Sequence, residues 1–266
     1  MASGNESIKK TILVALALCL VCSIFVAAAA VGLKPIQKAN KALDRKQNIL
    51  AAAGMLEPGK SVDELFKRVE TRIVNLNTGE FATPEELKAA GINPQTYDQK
   101  AAAQNPKLSR ALPADEDPAD IKRRAKYAPV YLVMSGDKIN KIVLPVHGYG
   151  LWSTMYGFIA LKNDYSTVVG FGFYDQGETP GLGGEVDNPN WKALWKGKEV
   201  YNNQGKPVIR LVKGGVNNAS PDAIHEVDAL SGATLTSRGV THLVQYWMGK
   251  HGFGPFLAKL RSKGVQ

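Results

Sequence analysis

The chain has 266 residues, 44% of them apolar and 21% charged, with a formal net charge of +9 and a pI near 9.4. That apolar content excludes a disordered chain and suffices for one large domain or two small ones. The positive excess admits anionic partners, but it is spread along the chain without zinc-finger spacing or a basic helix interleaved with aromatics, so no nucleic-acid partner is expected.

The first element is a run of about 23 uncharged residues, 11–33, long enough to cross a hydrocarbon core of roughly 30 Å. Lys9 and Lys10 precede it, and Lys34 and Pro35 end it. It exceeds a signal-peptide core of roughly 7–15 residues, so it reads as a retained single span rather than a cleaved leader, although Ala27 to Ala30 offer a cleavage site. Membrane lipid is therefore an expected partner. Both cysteines, Cys19 and Cys22, lie in this run, so the rest of the chain can build no disulfide framework, structural zinc site or iron–sulfur site. The positive charges after the span (Lys34, Lys38, Lys41, Arg45, Lys46) outnumber the two lysines before it, which by count alone places the large domain in the cytoplasm. That rule weakens where a whole domain follows the span.

Residues 34–60 read as a helical stalk, with apolar positions at Ile36, Ala39, Leu43 and Leu50. Ser61 with Glu64 forms a capping box that starts a short helix through Val69. Residues 72–76 alternate like a strand, turned by Asn77-Thr78-Gly79. Residues 83–125 hold five prolines and little periodicity, so an irregular insert with one short helix at 84–90 is expected. Its charge run Lys122-Arg123-Arg124 reads as a solvated face or a partner contact.

Residues 126–134 and 139–146 form a hairpin across Ser135-Gly136-Asp137, and residues 156–161 and 168–174 form another across Lys162-Asn163-Asp164. Residues 207–212 make one more strand. Successive hairpins with helices at the ends predict an α+β fold with a mostly antiparallel sheet after one transmembrane helix. No dinucleotide fingerprint or phosphate-binding lysine motif appears. The four histidines, His147, His225, His242 and His251, lack metal-ligand spacing, and His147 is read as a loop residue.

Four segments are candidate site elements. In His147-Gly148-Tyr149-Gly150-Leu151-Trp152-Ser153-Thr154-Met155, glycines let backbone approach a flat ligand, Leu151, Trp152 and Met155 supply walls, and Ser153 and Thr154 supply hydrogen bonds. The same segment also reads as a bulged strand with core aromatics. The loop Gln176-Gly177-Glu178-Thr179-Pro180-Gly181-Leu182-Gly183-Gly184-Glu185 can present N–H groups to a phosphate or to ring carbonyls, or be only a sharp connection. Lys213-Gly214-Gly215 places a cation at a strand end, beside a ligand or in solvent. The fourth, Asp228-Ala229-Leu230-Ser231-Gly232-Ala233-Thr234, leads into an amphipathic helix whose buried face is Val240, Leu243, Val244, Trp247 and Met248, closed by Gly249. Its N-cap is expected between Thr234 and Ser237, and its N-terminus favours a phosphate.

The last string resembles the flavinylation signal of a group of membrane redox proteins. Taken in order with Gly150-Leu151-Trp152-Ser153, the glycine-rich loop, Lys213-Gly214-Gly215 and the tail Gly252-Phe253-Gly254-Pro255-Phe256-Leu257, the chain resembles the C-subunit family of bacterial Na+-translocating NADH:quinone oxidoreductases. The G subunit of Rnf complexes shares the FMN-binding domain and is the alternative within the same class. The resemblance implies FMN joined through a phosphoester to Thr234, with Asp228, Ser231, Gly232 and Ala233 read by a periplasmic, FAD-dependent flavin transferase. It implies cofactor contacts from Trp152, Ser153, Glu178, Thr179, Leu182, Gly183 and Lys213. It further implies a single-pass inner-membrane protein with residues 1–10 cytoplasmic and residues 61–266 a periplasmic FMN-binding domain. Such a protein relays electrons in a membrane complex of six subunits running from NADH to ubiquinone and exporting Na+, with no stand-alone NADH oxidation. A membrane-anchored assembly module without a redox cofactor is the reading from a different class.

Overall fold

The computed structural model describes residues 8–264; the expected cytoplasmic segment 1–10 lies outside the described residues as far as residue 7. Helix α1, Ile8–Ala52, is a single element. Pro35, which ends the apolar run, does not end the helix, although its ring nitrogen cannot donate the usual bond to the carbonyl four residues earlier. The apolar part is long and hydrophobic enough to cross a membrane and is not buried by protein. The chain divides into a unit ending at Asp44 and a unit beginning at Arg45.

The second unit begins with the last residues of α1. Helix α2 (Val62–Phe66) follows, its first turn capped by Ser61, whose hydroxyl accepts the Glu64 N–H at 3.2 Å. It ends at Phe66 rather than at Val69, which already belongs to strand β1 (Val69–Asn75). A turn at Gly79, with φ of +66°, leads to β2 (Glu80–Phe81). The region expected to be irregular is built of short elements: α3 (Pro84–Ala89), α4 (Gln99–Gln104), β3 (Ser109–Ala111) and β4 (Arg123–Ala125). None is long enough to show periodicity, yet each helix has a local cap. Thr83 and Glu86 form a reciprocal capping box, and Asp98 accepts from Lys100 and Ala101.

The charge run behaves differently from the solvated face expected. Lys122 is exposed, but Arg124 is only 3% exposed, and its guanidinium donates to the Asn77 side chain and the His251 carbonyl. Arg123 donates to the Ser109 hydroxyl.

The main hairpins are β5 (Tyr127–Ser135) with β6 (Lys138–Tyr149), and β7 (Thr154–Lys162) with β8 (Val168–Asp175). Together with β1 and β2 they form a six-stranded antiparallel sheet in the order β2-β1-β5-β6-β7-β8. Strand β6 runs on through His147 to Tyr149, so His147 is a strand residue and not a loop residue. Side chains alternate between the faces with a period of two. Val130, Leu132, Ile142, Leu144, Val146, Ile159 and Leu161 face one core, while Tyr131, Val133, Val143, Phe158 and Ala160 face the other. The second core also takes Ile49, Leu50, Ala52 and Ala53.

After β8 come α5 (Pro189–Ala193), β9 (Arg210–Val212) and β10 (Glu226–Asp228). The strand expected over 207–212 is thus three residues long, and it pairs in parallel with β10, which sequence periodicity does not reveal. Helix α6 (Thr234–Met248) covers the first core. Val240, Leu243, Val244, Trp247 and Met248 are each fully buried, as the spacing predicts, and each such side chain contributes roughly 1.5–3 kcal/mol of burial. Helix α7 (Gly254–Gly264) follows, and Phe253, Phe256 and Leu257 of the tail are core residues.

Candidate cofactor-binding site

The start of α6 organises the site. Ala233 is the N-cap, one residue earlier than expected, and no side chain caps the helix. The nearby hydroxyls are already engaged elsewhere. Ser237 accepts the Leu230 N–H at 3.0 Å and donates to the Ala233 carbonyl at 2.9 Å. Thr236, 1% exposed, donates to Glu178 Oε2 at 2.6 Å. The helix start is therefore left without a side-chain cap, and the nearby Glu178 carboxylate bonds the Thr236 hydroxyl rather than a first-turn N–H. Thr234 and Ser231 are exposed at that end. Gly232 has a φ of +70°, and a Cβ there would stand 3.0 Å from the Leu182 side chain, which places Leu182 beside the turn.

A cavity of about 640 Å³ opens at this helix end, lined among others by Lys213, Gly214, Gly215, Asp228, Ser231, Gly232, Thr234 and Arg238. Its volume lies within the roughly 300–1,000 Å³ typical of small-molecule sites. Arg210 also lines it but is held by Asp222 at 3.1 Å and by Glu226 at 2.5 Å. Lys213 and Arg238 form no ion pair among the described residues. The Asp228 carboxylate accepts the Val216 N–H at 2.7 Å and so fixes the turn through Gly214 and Gly215, whose φ values are +86° and +89°. Lys213 opens this turn directly after Val212, the β9 partner of Asp228.

The remaining candidates meet at Glu178, which is 5% exposed. Its Oε1 accepts the N–H groups of Leu151, Trp152 and Ser153 at 3.1, 2.9 and 3.3 Å, and its Oε2 accepts from Leu151 at 3.1 Å and from the Thr236 hydroxyl. Two motif glycines follow from this contact. A Cβ on Gly150 would lie 2.6 Å from Glu178 Oε1, and one on Gly183 would lie 2.6 Å from Thr236 Oγ1. The Ser153 hydroxyl accepts the Gly177 N–H at 2.7 Å. The Thr179 carbonyl accepts from Leu182 at 3.1 Å and from Gly184 at 2.8 Å, closing the glycine-rich turn.

Thr234, Ser231, Gly232, Asp228 and Lys213 thus line one cavity. Ser153, Glu178 and Gly183 form the bonded frame next to it, and Ala233 is buried as the N-cap. Trp152 and Leu182, 66% and 45% exposed, stand on that frame with Leu151 and Leu235 as an apolar rim, and Thr179 is exposed on the same loop. Met155 is fully buried and supplies no wall for a ligand. Sequence reading missed Arg238, which the spacing of one helical turn from Thr234 signals, and missed Thr236 as the tie to Glu178. His147 is buried away from this cavity against Tyr156 and Trp247, and burial, with Lys100 nearby, pushes it down to about 4, so it is neutral at pH 7.

Comparison with known proteins gives a consistent result. The FMN-binding domain family matches residues 150–249. The C-subunit of the Na(+)-translocating NADH-quinone reductase of Pseudomonas aeruginosa is 54% identical over 98% of this chain and 98% of its own, and that of Vibrio campbellii is 51% identical over the whole of both. Among solved structures, Shewanella oneidensis NqrC is 38% identical and superposes with a TM-score of 0.75 over 84% of this chain and 99% of its own.

Proposed function

The chain belongs to the C-subunit family of Na(+)-translocating NADH-quinone reductases, and from that premise we propose that it carries FMN covalently on Thr234 and relays electrons inside that membrane complex. The observation that carries the proposal is the uncapped start of a 15-residue helix, where an exposed threonine hydroxyl shares a cavity with Lys213 and Arg238, two cations without an ion pair among the described residues. These residues fit a flavin phosphate. The helix end and the two cations favour a phosphodiester anion at Thr234, and the cavity volume accommodates a flavin-sized group. Bound FMN would supply a ring that takes up and releases electrons singly or in pairs.

The chain's own residues bind and orient. Thr234 supplies the ester oxygen. Ser231 and Gly232 keep the approach open. Lys213 and Arg238 balance the phosphate charge. Trp152, Leu182 and Leu235 offer apolar surface to a ring held from Thr234, and Thr179 offers its hydroxyl. Thr234 would act as the hydroxyl nucleophile toward the FMN phosphorus of FAD, with AMP leaving and the hydroxyl proton lost, on a transferase that would read Asp228, Ser231, Gly232 and Ala233. The domain then stands on the periplasmic side of a single span, with the charges after the span over-ridden by translocation of a whole domain. NADH oxidation, quinone reduction and Na+ export belong to the assembled complex.

The test is intact mass with in-gel flavin fluorescence after denaturation, on wild type and Thr234→Ala co-expressed with a periplasmic flavin transferase. A mass gain of FMN less water, present in wild type and absent in Thr234→Ala, is expected. Absence of bound flavin in both would overturn the reading. Protease digestion of spheroplasts degrades the domain if it faces the periplasm and spares it if it faces the cytoplasm.

A further inference from the structure

We propose that Glu178 is a positioning residue: it locks the 150–153 loop to the first turn of α6 and so fixes the surface that Trp152 presents beside Thr234. This rests on the reading of Thr234 as the flavin-bearing residue. Sequence resemblance places Glu178 among cofactor contacts, but its carboxylate has no free edge to offer. Both oxygens are engaged, by three consecutive backbone N–H groups on one side and by the Thr236 hydroxyl on the other. The residue is 5% exposed.

Three segments far apart in sequence are held by this one side chain. The separations are 25–27 residues to the loop and 58 to Thr236. Besides Glu178, the four-residue loop between β6 and β7 is held by the Gly150 N–H on the Ser153 carbonyl at 2.9 Å, the Gly177 N–H on the Ser153 hydroxyl at 2.7 Å and the Tyr149 hydroxyl on the Trp152 carbonyl at 3.3 Å, and none of these reaches α6. A carboxylate accepting several N–H groups is a charge-assisted clamp, about twice as strong per bond as a neutral one. It also explains why Thr236 is not a second acceptor of flavin. Its hydroxyl is buried and donated to Glu178, while Thr234, two residues earlier, lines the open cavity.

The test uses the full-length protein, flavin-loaded, and its Thr234→Ala form as flavin-free protein, each with and without Glu178→Ala and Glu178→Gln. Three quantities are read: hydrogen exchange of the Leu151, Trp152 and Ser153 amides, the flavin's absorption, and its midpoint potential. In Glu178→Ala, exchange at the three amides rises about tenfold or more with and without flavin, because three donors lose their acceptor. The flavin spectrum and potential shift while the ester on Thr234 remains. Glu178→Gln keeps the volume and one oxygen, so it folds and moves all three readouts in the same direction but less. Unchanged exchange at residues 151–153, or an unchanged spectrum and potential in every variant, overturns the positioning role. Lack of flavin on the wild-type protein would instead overturn the functional reading, and exchange in the flavin-free protein then decides the clamp by itself.

Discussion

The two ends of α6 are finished in opposite ways. At the C-terminal end the last turn is packed into the core and its carbonyls are bonded by the chain that follows or by Tyr201. Trp247 and Met248 are fully buried, the Trp247 carbonyl accepts from Phe253 at 2.6 Å, and the Met248 carbonyl accepts from the Tyr201 hydroxyl at 2.8 Å. A Cβ on Gly252 would lie 2.2 Å from the Trp247 carbonyl, so the tail closes tightly over this end. At the N-terminal end, three hydroxyl residues stand within four positions, yet none caps the helix. A hydroxyl residue at the N-cap position ordinarily contributes about 1 kcal/mol, but here that position is Ala233. Here Thr236 and Ser237 are turned inward and Thr234 outward, which leaves the positive helix end facing a cavity. One end holds the fold and the other is left available to chemistry.

This contrast sets the size of each expected effect. Trp247→Ala removes a buried indole and its 2.7 Å bond to the His147 carbonyl, and is expected to cost about 3–5 kcal/mol in chemical denaturation. Thr234→Ala, at an exposed position in the same helix, is expected to change stability by less than about 0.5 kcal/mol while abolishing covalent flavin. Equal destabilisation by the two changes would break the comparison.

His147 offers a pH test of the sealed side. Its folded value of about 4 lies below the ordinary 6.5 of a free imidazole, so between these values the unfolded chain binds a proton that the folded chain does not. Stability is therefore expected to fall as pH drops from 6.5 towards 4, by on the order of 3 kcal/mol at full effect, and His147→Gln flattens that slope in denaturation curves.

Gly239 marks a close approach of α6 to the C-terminal end of β6. A Cβ there would lie 2.4 Å from the Tyr149 carbonyl, so Gly239→Ala is expected to destabilise by about 1–3 kcal/mol despite alanine's better helix propensity. The smallest effect is at the open end. Arg238→Gln is expected to slow flavin transfer to Thr234 by about two- to fivefold, in keeping with one exposed charge interaction, with stability unchanged in a melting curve.

The legible parts of this molecule are those with local signatures. The face Val240 to Met248 follows from helical spacing, and the hairpins follow from alternation around Gly136 and Asn163. Thr234 stands out because a short string resembles a known signal. What was not legible depends on partners distant in sequence. Arg124 looks solvated among three basic residues until Asn77 and the His251 carbonyl arrive to bury it. Strand β10 is three residues long and exists because β9 lies beside it. Glu178 reads as a ligand contact in its glycine-rich loop, and only the folded chain shows its oxygens taken by residues 151–153 and Thr236.

The most direct measurement is peptide mapping of the flavin-loaded protein. Trypsin cleaves after Lys213 and Arg238, and the released peptide of residues 214–238 contains Ser231, Thr234, Thr236 and Ser237. Fragmentation is expected to place the FMN phosphoester on Thr234 alone. Flavin on Thr236 or Ser237, whose hydroxyls are buried and bonded, or on the exposed Ser231, would contradict the assignment of the ester to Thr234.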